Sequence, residues 1–230
     1  MAVRKLVLTY FDIKGKAEYV RLALAAGGVE FEDRRLKKGE WAGLKPETRW
    51  RYLPELKVYP EGDGAAPVTF GQSNTQLRYV GRLTGLYPVE DALAAARVDE
   101  ILEAVEDVRA PMSASIREED PGRKAQMREK LATEFLPHWF SLFEERAQEN
   151  GANGHLVGEG LTVADLSLYV LVGHFRMGIL DGVPATIADG YPGIEKVVAG
   201  VAAHPKVAAF EQAVAERKAE AKRREAGASA

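Results

Sequence analysis

The chain has 230 residues, 46% of them hydrophobic and 28% charged, with a formal net charge of -3 and no cysteine. This length holds one large domain or two small ones, and the near-neutral balance makes no electrostatic case for nucleic acid. The lack of cysteine excludes disulfides, thiolate metal sites, CxxC redox chemistry and a cysteine nucleophile together, so any thiol used in chemistry must come from a ligand.

The segment 1–5 is too short and too polar for a signal peptide, and no apolar run of about 18 residues occurs. The expectation is a cytoplasmic chain with no membrane span. Residues 5–9 form a brief apolar run that predicts a first strand. Residues 16–26 carry Ala17, Val20, Leu22 and Leu24 at helical spacing and stop at Gly27-Gly28, a C-cap signal. A second short strand is predicted at 30–34. Segments 55–59 and 67–70 flank the turn cluster Pro60-Glu61-Gly62-Asp63-Gly64 and read as a hairpin. Residues 72–84 read as a helix, which completes a βαβ then ββα order and suggests an α/β unit.

After Gly85-Leu86-Tyr87-Pro88 the strand signals vanish and 3.6-residue periodicity takes over. Helices are predicted at 90–109, at 121–148 with a kink at Pro137, and at 162–178, 192–201 and 205–224. The tail 215–230 mixes charges of both signs and reads as a solvated helix end or as a basic tail for a partner.

Three short segments can carry chemistry. Tyr10 closes the first strand. A strand-end tyrosine is most often packing, but this one precedes a loop feeding a helix, beside the cleft where α/β sheets bind ligands. Gln72-Ser73-Asn74 opens a helix. Its side chains suit an N-cap, and its free N–H groups and dipole suit an anion. Leu53-Pro54 leads into a strand, where proline is commonly an edge or bulge device. Elsewhere the signals are structural or absent. Thr162 and Asp165 form a capping box. His138, His155, His174 and His204 lack metal-ligand spacing. Gly62-Asp63-Gly64 has no following Gly-Lys-Ser/Thr, so it is a turn and no phosphate loop.

In their order and spacing, Leu8-Thr9-Tyr10-Phe11, Leu53-Pro54-Glu55-Leu56-Lys57-Val58 and Gln72-Ser73-Asn74 resemble a cytosolic glutathione transferase of the tyrosine type, with the sigma kind favoured over mu, alpha and pi. The resemblance spans roughly residues 3–215. It implies an α/β plus all-α architecture: a thioredoxin-like glutathione-binding domain at 1–84, a linker at 85–89 and an all-helical domain at 90–230. It also implies a homodimer, glutathione as co-substrate, no metal, and a small hydrophobic electrophile as second substrate.

By resemblance, Tyr10 activates the thiol and Lys16 stands nearby, where relatives often have arginine. Trp41 and Lys45 reach the glycyl end of glutathione. Leu53 pairs with its cysteinyl backbone beside a cis Pro54, and Tyr52 occupies a position where relatives often have glutamine. Gln72 and Ser73 hold the γ-glutamyl carboxylate. Asp107 crosses to the ligand amine of the other subunit, and Trp50 matches an aromatic that some classes insert into their partner. Phe11, Ile13, Val108 and Met112 are expected to line the acceptor pocket. The implied reaction is conjugation of the thiolate to an electrophilic carbon. A glutathione-dependent isomerase of the prostaglandin D synthase kind, a peroxidase, and a non-catalytic crystallin or ligand carrier remain alternatives on the same site.

Overall fold

A near-continuous apolar run suits a strand covered on both faces and paired on both sides, and the first strand is accordingly central. In the computed structural model, which describes residues 3–62 and 65–228, β1 (Val3–Phe11) lies between β2 (Glu32–Leu36) and β3 (Glu55–Pro60), with β4 (Val68–Phe70) outermost. β1 runs parallel to β2, with Tyr10 opposite Arg35, and antiparallel to β3, with Leu8 opposite Leu56. β3 and β4 form the expected antiparallel hairpin, Leu56 facing Phe70. Asp63 and Gly64 of its turn lie outside the described residues, as do 229–230 of the charged tail.

A tight turn of 3-10 helix, Gly15–Ala17, feeds α1 (Glu18–Gly27). This helix ends where Gly28 takes the left-handed conformation, at φ 70°, and donates to the Leu24 and Ala25 carbonyls. A short α2 (Glu40–Leu44) follows β2, and α3 (Ser73–Thr84) packs against α1. The order β-α-β then β-β-α is the thioredoxin-like arrangement, and the remainder of the chain is helical.

The long α4 (Ala92–Arg117) starts at Asp91, whose carboxylate caps the Leu93 and Ala94 N–H groups. It runs eight residues past the predicted end at Arg109 and contains Pro111. Proline removes one N–H, so the Asp107 carbonyl loses its ladder partner; continuous packing of Val105, Val108 and Met112 in the core carries the helix through. The predicted helix at 121–148 is three pieces: α5 (Pro121–Lys130), a π-helical turn Leu131–Phe135, and α6 (Leu136–Glu149). The break therefore precedes Pro137. A widened turn there makes room for the proline ring, which otherwise meets the carbonyl one turn back.

The helical part is completed by α7 (Val163–Arg176), α8 (Pro192–Ala203) and α9 (Pro205–Ala228). The capping box at the start of α7 is present: Asp165 accepts from the Thr162 N–H at 2.7 Å and from the Leu156 N–H at 2.7 Å. Asp165 is fully buried, which makes it a structural anchor. α1 packs on α7 and α9, and α3 on α7, so one apolar core runs from the sheet into the bundle. Among the described residues no helix is long and apolar enough to cross a membrane, and no group of carboxylates and histidines could hold a metal ion.

Candidate active site

The C-terminal end of β1 leads Tyr10 into a cavity of about 420 Å³ between the sheet and the helices. Its wall includes Ile13 and Gly15 from the loop after β1, Arg109 and Met112 from α4, and His174 from α7. The Tyr10 side chain is largely buried, and its hydroxyl accepts a hydrogen bond from the Lys16 backbone N–H at 3.2 Å. An oxygen that accepts there keeps its own proton for a ligand.

The loop from residue 12 to 15 is shaped for this approach. Gly15 has φ 48°, and a Cβ at that position would lie 2.7 Å from both the hydroxyl oxygen and Cε1 of Tyr10. Arg21, fully buried in α1, holds the loop from behind by donating to the Ile13 carbonyl at 2.8 Å and the Lys14 carbonyl at 3.2 Å. Its charge is met by Asp33 at 3.0 Å and Glu18 at 3.1 Å. Two further ties run from this loop to α9. Lys14 pairs with Glu211 at 3.4 Å, and Asp12 lies 4.0 Å from Arg217 and 3.0 Å from Arg35.

Lys16 is not a free cation beside the hydroxyl. Its ammonium pairs with Glu106 of α4, and its backbone N–H is the group that meets Tyr10. Glu106 also lies 4.0 Å from Nε of Arg109. Arg109, only 9% exposed, donates to the Tyr19 hydroxyl at 3.0 Å and to Nδ1 of His174 at 3.2 Å. A guanidinium can only donate, so Nδ1 accepts and the ring's hydrogen sits on Nε2. Burial, reinforced by the positive Arg109, pushes the His174 pKa down to about 3, and burial pushes the Tyr19 hydroxyl up to about 12. Both groups are neutral near pH 7.

The remaining candidate residues gather beyond the end of the sheet. The Leu53-Pro54 bond is cis. Gln72 is the N-cap residue of α3 with φ 62°, makes no side-chain cap, and leaves Ser73 as the first helical residue. What joins these two segments is a residue the motif reading missed. Gln76, fully buried, donates to the Pro54 carbonyl at 2.8 Å and to the Phe70 carbonyl at 2.9 Å. Its sole sequence signal was a polar residue one turn into an apolar-faced helix.

Trp41 packs edge-on against Phe11 at 5.8 Å, and Lys45 lies exposed in the following turn. Tyr52 is 75% exposed and Trp50 is 54% exposed, although Trp50 lies directly over the Gly71 backbone.

Of the expected acceptor-pocket residues, Ile13 and Met112 do line the cavity with Tyr10. Val108 does not: it is 1% exposed and packs in the core, because one helical step of about 100° turns the cavity face to Arg109 instead. Phe11 is not on the wall either and makes edge contacts with Tyr10 and Trp41 on its two sides. Asp107 is exposed and borders a separate groove of about 390 Å³ between α4 and α6, so a single chain does not bring it to Tyr10. Arg109 and His174 were missed by motif reading, since they are 65 residues apart in sequence and meet only in the fold.

The chain is similar to known proteins over much of its length. Residues 106–213 match the family described as "Glutathione S-transferase, C-terminal domain". The chain is 35% identical to glutathione S-transferase 1 of Ascaris suum, over 69% of this chain and 74% of that one. It is 32% identical to glutathione S-transferase 2 of Manduca sexta, over 90% and 95% of the two chains. Among solved structures it superposes on the prostaglandin synthase D of Nilaparvata lugens with a TM-score of 0.79 and 26% identity, covering 91% of this chain and 98% of that one. On these likenesses, carried over nearly the full length of the chain, it belongs to the glutathione S-transferase family.

Proposed function

We propose that this protein conjugates glutathione to apolar electrophiles, with Tyr10 as the thiol-activating residue. The supporting observation is the Tyr10 hydroxyl itself: it lines the cavity and accepts from the Lys16 N–H, leaving its own proton for a sulfur. A free thiol titrates near pH 8.5, and lowering that by about two units requires roughly 2.7 kcal/mol. One hydrogen bond to a charged acceptor contributes about 1.5–3 kcal/mol, so a single phenol nearly suffices.

In this reading Leu53 meets the cysteinyl backbone in strand fashion beside Pro54. Gln72, Ser73 and the N-terminus of α3 hold the γ-glutamyl carboxylate, and Trp41 and Lys45 reach the glycyl end. The thiolate then attacks an electrophilic carbon: a C–S bond forms, the leaving group departs with its electron pair, and the thiol proton passes to solvent. The chain contributes thiolate stabilisation and proximity. Asp107, remote from Tyr10 in its own subunit, serves the ligand of a second copy in a two-fold dimer. We place the thioredoxin-like domain at 1–84 and the helical domain from 90 onward.

Tyr10→Phe should retain glutathione binding and lower turnover of 1-chloro-2,4-dinitrobenzene ~10–100-fold, the equivalent of about 1.4–2.7 kcal/mol. An unchanged rate together with unchanged thiolate absorbance would remove Tyr10 from this role.

A further inference from the structure

The acceptor cavity is largely apolar, with one buried polar pair on its wall. Ile13, Met112, Ile116 and Met177 furnish its greasy wall, while Arg109 and His174 occupy the same wall side by side. Arg109 is a buried cation whose charge the protein does not cancel. Its hydrogen-bond acceptors are the neutral Tyr19 hydroxyl and the neutral His174 ring. The nearest carboxylate, Glu106, is 4.0 Å from Nε and is already engaged by the Lys16 ammonium, so Lys16, Glu106 and Arg109 together carry one surplus positive charge. Nε is sealed from solvent without a partner. Among the described residues Nη2 has no hydrogen-bond partner either and, unlike Nε, is not sealed away. His174 adds a second donor: with Nδ1 accepting from Arg109, its hydrogen is on Nε2, which has no partner among the described residues. Of the other charges on the wall, Asp12 is met by Arg35 at 3.0 Å and Lys14 by Glu211 at 3.4 Å, while Lys218 of α9 is exposed to solvent, where a charge is hydrated and carries no burial cost. Burying an uncompensated guanidinium is costly, and an anionic group offered by a ligand removes that cost.

We propose that the acceptor site selects amphipathic electrophiles that carry a carboxylate on an apolar body, with Arg109 and His174 together forming the carboxylate subsite. This rests on the transferase reading above, and it narrows the acceptor from apolar molecules in general to apolar monoanions. The carboxylate fixes one end of the acceptor at α4 and α7 while the apolar body lies toward Tyr10.

The test uses matched pairs that differ in one charge. For turnover the pair is 4-chloro-3,5-dinitrobenzoate and its methyl ester; in each a C–S bond replaces the C–Cl bond, chloride leaves with the electron pair, and the thiol proton goes to solvent. For binding the pair is 3,5-dinitrobenzoate and its methyl ester, which lack the leaving group, measured by calorimetry on the unaltered protein. We expect the carboxylate to bind at least about tenfold more tightly than the ester, the least that a hydrogen bond to a charged group contributes. The ratio of kcat/KM values, each corrected for the uncatalysed reaction with glutathione, should show the same preference. Arg109→Gln should bring both preferences to within about twofold, and His174→Leu should reduce them in part. Equal binding of acid and ester by the unaltered protein overturns the inference even if both chlorides are conjugated. A preference that survives Arg109→Gln in a folded variant overturns it too. Tight carboxylate binding with no conjugation of either chloride sustains the anion subsite and overturns the transferase reading instead.

Discussion

Replacing Gly15 by alanine tests whether loop shape and thiol chemistry are linked. At φ 48° the residue occupies the left-handed region, where an L side chain costs about 1–2 kcal/mol. The new methyl would also stand 2.7 Å from the Tyr10 hydroxyl oxygen and from Cε1, closer than real Cβ contacts come, and a tight 3.1 Å from Cζ. Something must move by several tenths of an ångström. The loop is fixed by the bonds from Arg21 to the Ile13 and Lys14 carbonyls, so the ring is the part that yields. A misplacement approaching 1 Å at a reacting group can cost on the order of a hundredfold in rate. Gly15→Ala should therefore unfold at lower urea with an unchanged slope, losing about 1–2 kcal/mol, and turn over ~10–100-fold more slowly with glutathione binding retained. Combined with Tyr10→Phe it should add little further loss, because both act through one hydroxyl. A Gly15→Ala enzyme that is destabilised yet turns over at the normal rate, or rate losses that multiply in the double variant, would refute the link.

Three other outcomes are expected. Gln76→Leu leaves the Pro54 and Phe70 carbonyls buried without their donor and should cost about 2–4 kcal/mol in denaturant unfolding, with weaker glutathione binding by calorimetry. His174 has its folded pKa held at about 3 against an ordinary 6.5, so the unfolded chain binds the extra proton. Stability from this group is then complete above about pH 6.5 and falls as pH drops toward 3, by up to roughly 4–5 kcal/mol, and His174→Leu should flatten that slope in acid unfolding curves. Asp165→Ala strips the acceptor from the Thr162 and Leu156 N–H groups and should lower stability by about 3 kcal/mol or more, while the variant that remains folded binds glutathione normally.

Much of the architecture is legible in the sequence because local signals and the fold agree. The apolar run ending at Tyr10, the glycines after α1, and the capping box of Thr162 and Asp165 each state their geometry within a few residues. Two prolines lie inside helical stretches and behave differently. Pro111 did not end α4, because tertiary packing outweighed one missing hydrogen bond, and Pro137 was preceded by a π-helical turn instead of producing a simple kink. The site was legible only where chemistry sits at the end of an element. Gln76, Arg109 and His174 carry no local signature, since each acquires its meaning from a group on another element, at sequence separations of 22, 90 and 65 residues. Assigning Val108 to the pocket and overlooking Arg109 was an error of a single helical step. Periodicity identifies a face of a helix, but it cannot say which neighbour that face meets.

The short loop between β1 and α1 has a consequence for how such a protein can change. Gly15 lies against Tyr10, the residue proposed to activate the thiol, while Asp12 and Lys14, in the same loop, are held by the last helix, α9, whose Lys218 reaches the wall of the cavity. A sequence drifting toward a new second substrate by remodelling α9 would pull on the handle that also sets the nucleophile. On the proposed role of Tyr10, acceptor choice and thiol reactivity are then not separately adjustable. Substitutions in α9 should be selected together with compensating ones at positions 12–15, and a library that varies the helix alone would pass mostly through variants that gain a substrate and lose the means to attack it.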